Sequence, residues 1–80
     1  MTDIKSLTRR EVQILRCISN GDSNKEIALA LNIEEQTVKN HISNLMRKLE
    51  AKNRTHAVVI YFSTLARILI INALDMKRGD

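Results

Sequence analysis

Apolar residues recur along the chain in four phases, and the first two open on recognisable helix-start chemistry. Thr8-Arg9-Arg10-Glu11 has the Ser/Thr-x-x-Glu spacing in which hydroxyl and carboxylate satisfy each other's orphan amides. Leu7 and Val12 stand where a hydrophobic staple forms. This predicts a first helix over about residues 8–20, with Val12, Leu15 and Ile18 inward and Ile14 alongside. Gly21 is placed for the left-handed residue that ends it. Ser23-Asn24-Lys25-Glu26 repeats the start signal and opens a short second helix over residues 24–31, carrying Ile27, Ala28, Ala30 and Leu31. Asn32 then suits a left-handed turn. In the third segment, residues 35–50, Val38, Ile42, Leu45 and Leu49 follow at spacings of four, three and four, a clean inward stripe. After the polar loop Ala51-Lys52-Asn53-Arg54, Thr55 can cap a fourth helix over residues 55–77. From Ala57 to Met76 that helix is apolar nearly all round and meets no Gly or Pro. A continuous rod is therefore expected in preference to a break near Ser63-Thr64. The expectation is an all-α, four-helix domain spanning residues 1–80, with an extended apolar fourth helix.

Composition removes most catalytic and metal chemistry. The only aromatics are Tyr61 and Phe62, too few for a platform on which single-stranded bases stack. A single cysteine, Cys17, excludes an internal disulfide and a thiolate zinc site, and suits a reducing cytoplasm. Cys17 falls near the buried side of the first helix, where a small packed hydrophobe is its expected role. His41 and His56 lie on different helices with no nearby cysteine, so no metal and no cofactor are expected. No Ser-His-Asp or Cys-His arrangement and no paired carboxylates are suggested; Glu34-Glu35 fits the positive end of a helix dipole. The start of the chain, Met1-Thr2-Asp3-Ile4-Lys5, has no apolar signal-peptide core. An enzyme is not expected.

Charge changes the picture through its position. Between Gln36 and His56, five cations (Lys39, Arg47, Lys48, Lys52 and Arg54) face one acid, Glu50, and this window carries the entire net charge of +4. An excess confined to one stretch points to a polyanionic partner. On the third segment, opposite the apolar stripe, Gln36, Lys39, Asn40, Ser43 and Arg47 recur at helical spacing, and each can donate hydrogen bonds. Major-groove readout needs such a surface: Lys donates to guanine acceptors, Asn or Gln pairs with adenine, and Ser adapts to either. A solvated amphipathic face has the same pattern, so spacing alone leaves the two readings open. At the second helix start, Lys25 sits where the dipole disfavours a cation. Together with the amides of Ser23 and Asn24 it forms a candidate phosphate site.

The residues also carry a resemblance. Leu7-Thr8-Arg9-Arg10-Glu11-Val12, Gly21-x-Ser23-Asn24-Lys25-Glu26-Ile27-Ala28, Leu31-x-Ile33, Thr37-Val38-Lys39-Asn40-His41-Ile42, Lys48-Leu49 and Asn53-Arg54-Thr55-x-Ala57-Val58 occur in order over residues 6–62. They resemble the LuxR/FixJ family, the GerE-like class of bacterial helix-turn-helix transcription regulators. The resemblance implies a four-helix output domain, usually C-terminal to a receiver or ligand-sensing domain, that binds double-stranded operator DNA as a homodimer in the cytoplasm. It implies base reading by Lys39, Asn40 and Ser43. It puts Lys25, Thr37 and Arg54 at or near backbone-contacting positions, to which the residue chemistry adds Ser23, Asn24, Gln36 and Arg47. RNA polymerase is a further candidate partner.

Two features depart from the family pattern. Glu34 occupies the N-cap of the third helix, where the family often has Ser, Thr or Asp; Glu caps less well although its charge suits the dipole. The family's last helix commonly ends soon after the position of Phe62, whereas this chain continues through Leu65, Ile68, Leu69, Ile70, Ile71 and Leu74. Three fates for that surface are conceivable: pairing of two fourth helices, folding back over the protein's own core, or a membrane span. Arg67 in mid-stretch costs about 2.5–3.5 kcal/mol on insertion, which argues against a membrane. The expected interface is Val58, Tyr61, Phe62, Leu65, Ile68, Leu69 and Ile71 on a homodimer. The rival functional class is a helix-turn-helix module that docks another regulator or RNA polymerase without gripping DNA.

Overall fold

The computed structural model describes residues 4–78, with side chains through Met76. A 3-10 turn at Ile4–Ser6 leads into four helices: α1 Arg9–Ser19, α2 Asn24–Leu31, α3 Glu35–Leu49 and α4 Arg54–Arg78. The fold is all-α, as the periodicity predicts. Both Ser/Thr-x-x-Glu signals form reciprocal caps. Thr8 N–H donates to Glu11 Oε1 at 2.8 Å, while Glu11 N–H donates to Thr8 Oγ1 at 3.1 Å. Ser23 N–H donates to Glu26 Oε1 at 2.7 Å, and Glu26 N–H returns to Ser23 Oγ at 3.2 Å. These bonds hold the Glu26 carboxyl below the usual carboxylate range.

Left-handed residues end the first three helices. Gly21 has φ 87°, Asn32 φ 55° and Glu50 φ 54°. At each, the following N–H reaches back to the helix: Asp22 to Cys17 O at 3.1 Å, Ile33 to Ala28 O at 3.0 Å, and Ala51 to Met46 O at 2.9 Å. Gly21 and Asn32 match the sequence expectation. Glu50 has no such signature, and its left-handed backbone follows from closing the α3 end before the Ala51–Asn53 loop. The cap of α4 is Asn53 rather than Thr55. Asn53 Oδ1 accepts from His56 N–H at 2.8 Å and its carbonyl accepts from Ala57 N–H at 3.0 Å, so the helix starts at Arg54. Asn ranks above Thr as an N-cap, and Lys52 N–H donates to His56 Nδ1 at 2.9 Å to close the loop.

α3 is the central element, packed against α1, α2 and α4, while α1 also packs on α4. The core is Ile14, Leu15, Ile27, Val38, Ile42, Leu45, Leu49 and Ala57. The four-three-four stripe of α3 is therefore entirely buried. On α1 the inward face is rotated from the expected one. Ile14 and Leu15 are fully buried, whereas Val12 and Ile18 are only half-buried. Glu11 takes a buried position on the same face, at 3% exposure.

α4 runs unbroken for 25 residues, a rod of about 37 Å. Its first half docks: Ala57 is buried, and Val58, Ile60 and Tyr61 pack against the core. Tyr61 and Phe62 meet edge to face at 5.1 Å. Beyond Leu65 the helix leaves the domain. Leu69 is 60% exposed, and Ile68, Ile70, Ile71, Leu74 and Met76 are exposed with it. The projecting half does not fold back over the core. By length and composition Arg54–Met76 could cross a membrane, with a mean hydropathy of 2.0.

Candidate nucleic-acid interface

Three residues, Asn32, Ile33 and Glu34, join α2 to α3. The left-handed Asn32 turns the chain sharply enough that Ile27 and Val38 meet in the core, which fixes the mutual angle of the two helices. With Val38, Ile42, Leu45 and Leu49 sequestered, the opposite flank of α3 must face water. Gln36, Lys39, Asn40, Ser43 and Arg47 are all exposed there, and Thr37 is half-buried at its edge.

The sequence-derived base readers therefore lie together on one open face. Lys39 and Ser43 make no side-chain hydrogen bond or ion pair among the described residues. Asn40 Oδ1 accepts from Gln36 Nε2 at 3.1 Å, which leaves the Asn40 amide hydrogens pointing outward as donors. Arg47 Nη2 donates to Asn44 Oδ1 at 3.2 Å and keeps its remaining donors. No carboxylate lies between Gln36 and Leu49. At the start of α3, Glu34 supplies no side-chain cap, so that helix, unlike α1 and α2, begins without a reciprocal cap.

The basic window is smaller in space than along the chain. Lys48 turns away from the exposed flank: its ammonium lies 2.8 Å from Glu11 Oε1 and 3.1 Å from Ser6 O. Arg54 is also engaged internally. Its Nη1 donates to Asn24 Oδ1 at 2.7 Å and its Nη2 to Asp22 O at 3.0 Å. Arg54 thus braces the segment leading into α2, and the exposed Lys25 is carried on that braced segment. Of the two amides expected to serve a phosphate at this helix start, that of Ser23 is not open: its N–H donates to Glu26. Asn24 is half-buried with its side-chain oxygen held by Arg54.

Sequence reasoning missed the pair between Glu11 and Lys48. Burial raises the Glu11 pKa, but the Lys48 ammonium and the Thr8 bonds outweigh it and hold the carboxyl below its ordinary range. The capping signal identified Glu11 as a helix-start residue, and nothing in the spacing links it to a cation thirty-seven positions on. Cys17 is half-buried, its thiol pKa raised by burial and by the Asp22 carboxylate, which disfavours the reactive thiolate. His56 accepts a loop amide through Nδ1, and His41 is half-buried at the edge of α3.

Comparison with known proteins identifies a family. Residues 5–61 match the family model described as bacterial regulatory proteins, luxR family. The chain is 60% identical over 53 residues to the transcriptional regulatory protein YhcZ of Bacillus subtilis (strain 168), covering 66% of this chain and 25% of that protein. It is 51% identical over 55 residues to the nitrate/nitrite response regulator protein NarP of Escherichia coli (strain K12), covering 69% and 26%. It is 52% identical over 56 residues to the response regulator protein VraR of Staphylococcus aureus (strain NCTC 8325 / PS 47), covering 70% and 27%. The chain spans about a quarter of the length of these relatives.

Proposed function

We propose that this chain, which belongs to the luxR family of bacterial regulatory proteins, is a sequence-specific double-stranded DNA-binding transcription regulator that works as a homodimer in the cytoplasm. The observation that carries this reading is the open flank of α3, where Lys39, Asn40 and Ser43 are exposed donors directly opposite a fully buried stripe. An α-helix with such a flank fits the major groove of B-form DNA, and its side chains then reach base edges.

In this reading Lys39, Asn40 and Ser43 read bases. Lys25, Gln36, Thr37 and Arg47 hold phosphates, with the Ser23 hydroxyl and the Asn24 amide at the α2 start beside Lys25. Arg54 contributes by fixing Asn24 and the Asp22 carbonyl, which positions Lys25. The domain performs no catalysis; its work is binding and register. The exposed flank of α4 joins two copies, so that two recognition helices face successive turns of one duplex.

A second reading draws on the same apolar helix: the domain docks another regulator or RNA polymerase and leaves DNA alone. Mobility shift of genomic duplex fragments at low salt separates the two. Retarded complexes that resist random competitor DNA are the expected result. Absence of retardation at micromolar protein removes the DNA reading and leaves the docking one.

A further inference from the structure

Asn40 and Asn44 both lie on α3, and each has its side-chain oxygen engaged by a neighbour on the same helix. Asn40 Oδ1 accepts from Gln36 Nε2 at 3.1 Å, and Asn44 Oδ1 accepts from Arg47 Nη2 at 3.2 Å. The exposed Asn40 is thereby turned from a group that gives and accepts hydrogen bonds into one that offers its amide hydrogens. Oδ1 keeps a second lone pair, but the bond draws the oxygen back along the helix toward Gln36, one turn nearer the N-terminus. The same flank carries Lys39 and Arg47, which can only donate, and it carries no carboxylate. Among the described residues of that flank, only Ser43 Oγ and Gln36 Oε1 remain as side-chain acceptors without a partner.

The distribution matters because the two purines differ at their major-groove edges. Guanine presents two acceptors, N7 and O6, whereas adenine presents the N7 acceptor beside the N6 amino donor. An asparagine that pairs with adenine needs its oxygen for N6 and an amide hydrogen for N7. We infer that Gln36 withholds that oxygen and makes Asn40 a reader of guanine, reversing the adenine pairing that asparagine alone predicts. The inference rests on the DNA reading above and names the base edge that Asn40 meets there. Gln36 is then a positioning residue. One Nε2 hydrogen holds Asn40, and the other remains for the phosphate assigned to it. Lys39, the next residue along, donates to guanine by its own chemistry, so adjacent readers ask for the same acceptor-rich edge.

A spacing of four puts Gln36 and Asn40 on one helix face, where side-chain amides of this kind bond along the surface. Both residues are exposed, so water competes for the bond in the free domain. Against a base edge that water is displaced, and the bond strengthens as the local dielectric falls. The competing arrangement is the reversed amide, with Asn40 Nδ2 turned to Gln36 Oε1. That arrangement presents Oδ1 outward and selects the amino groups of adenine or cytosine, so the two orientations predict different bases.

Selection from a random duplex library by the whole chain tests the inference. Asn40→Ala marks the base position that Asn40 reads, as the one whose preference collapses. At that position the wild type should enrich guanine. Gln36→Leu should raise the ratio of adenine to guanine there by about tenfold. Loss of the Gln36 phosphate contact weakens all duplexes alike and leaves such a ratio untouched. In an Asn40→Ala background Gln36→Leu should leave the ratio unchanged, since Gln36 acts through Asn40. Adenine enriched by the wild type, no position that collapses in Asn40→Ala, an unmoved ratio in Gln36→Leu, or an effect that survives Asn40→Ala each overturns the inference. A second measurement needs no DNA. In proton–nitrogen NMR spectra Asn40→Ala should move the Gln36 side-chain amide resonances, and unmoved resonances overturn the inference by themselves. A chain whose Gln36 resonances move as expected but which enriches no duplex fails the DNA reading, and the assignment of guanine falls with it while the Gln36–Asn40 bond stands.

Discussion

Lys48 Nζ lies 2.8 Å from Glu11 Oε1 and so joins the first turn of α1 to the last turn of α3. The Glu11 side chain is 4% exposed and that of Lys48 27%, which makes this a largely buried carboxylate answered by one partly hydrated cation. The same carboxylate also caps α1 through Thr8. One side chain therefore closes a local structure and a long-range contact together.

Glu11→Gln keeps the shape and capping ability but leaves the Lys48 ammonium without its counter-charge. Urea unfolding at neutral pH should show a loss of about 1–3 kcal/mol. The folded-state pKa of Glu11 is depressed, so its contribution is complete above the unfolded value of about 4.3. It fades as pH falls through the lower folded value. The stability gap between wild type and Glu11→Gln should accordingly narrow on acidification below about pH 4. A gap that stays constant into acid would show that the pair contributes nothing through charge.

On the exposed flank of α3, Lys39→Ala should cost about 1–3 kcal/mol on a selected operator and relax the base preference at one position, if the proposed reading holds. Enrichment from a random duplex library by wild type and variant provides the comparison. Identical enriched sequences and affinities would remove Lys39 from the base-reading set.

Lys25 and Arg54 should separate by readout. Lys25→Ala weakens all duplexes alike and lowers the slope of log K against log salt by about one unit, with folding stability unchanged. Arg54→Ala loses two hydrogen bonds from a charged donor and should destabilise the fold by about 1.5–3 kcal/mol. Arg54→Lys should not restore it, because one ammonium cannot reproduce the fork that holds Asn24 and Asp22. Full rescue by Lys would contradict that bracing role.

The left-handed positions should respond with opposite signs. Glu50, at φ 54°, carries a Cβ penalty of about 1–2 kcal/mol, so Glu50→Gly is expected to raise stability by about 1 kcal/mol. Gly21→Ala, at φ 87° with open space around the added carbon, should lower it by a similar amount through backbone strain alone. Thermal melts resolve both, since 1 kcal/mol moves Tm by about 4–8 °C in a domain of this size.

What the sequence made legible followed from short-range rules. Thr8-Glu11 and Ser23-Glu26 declared their caps because a capping box is a local geometry, and Val38 to Leu49 declared a buried stripe because α3 packs along its whole length. Gly21 and Asn32 are residue types that tolerate the left-handed region. What escaped depends on tertiary closure. Glu50 adopts the same conformation without any residue-level signal. Glu11 is buried against Lys48, a partner thirty-seven positions away that its capping signal does not reveal. Arg54, counted along the chain as one more cation, finds its partners thirty residues upstream. The flank of Lys39, Asn40 and Ser43 could be located because it is the complement of an apolar stripe.

The overrun of α4 stretches the molecule to 49 × 24 × 19 Å. An elongated particle drags more solvent than a sphere of equal mass, so a single copy migrates through a gel-filtration column as though it were heavier. Elution volume thus counterfeits assembly for this molecule, and its mass in solution is to be weighed by light scattering or by the ratio of sedimentation to diffusion.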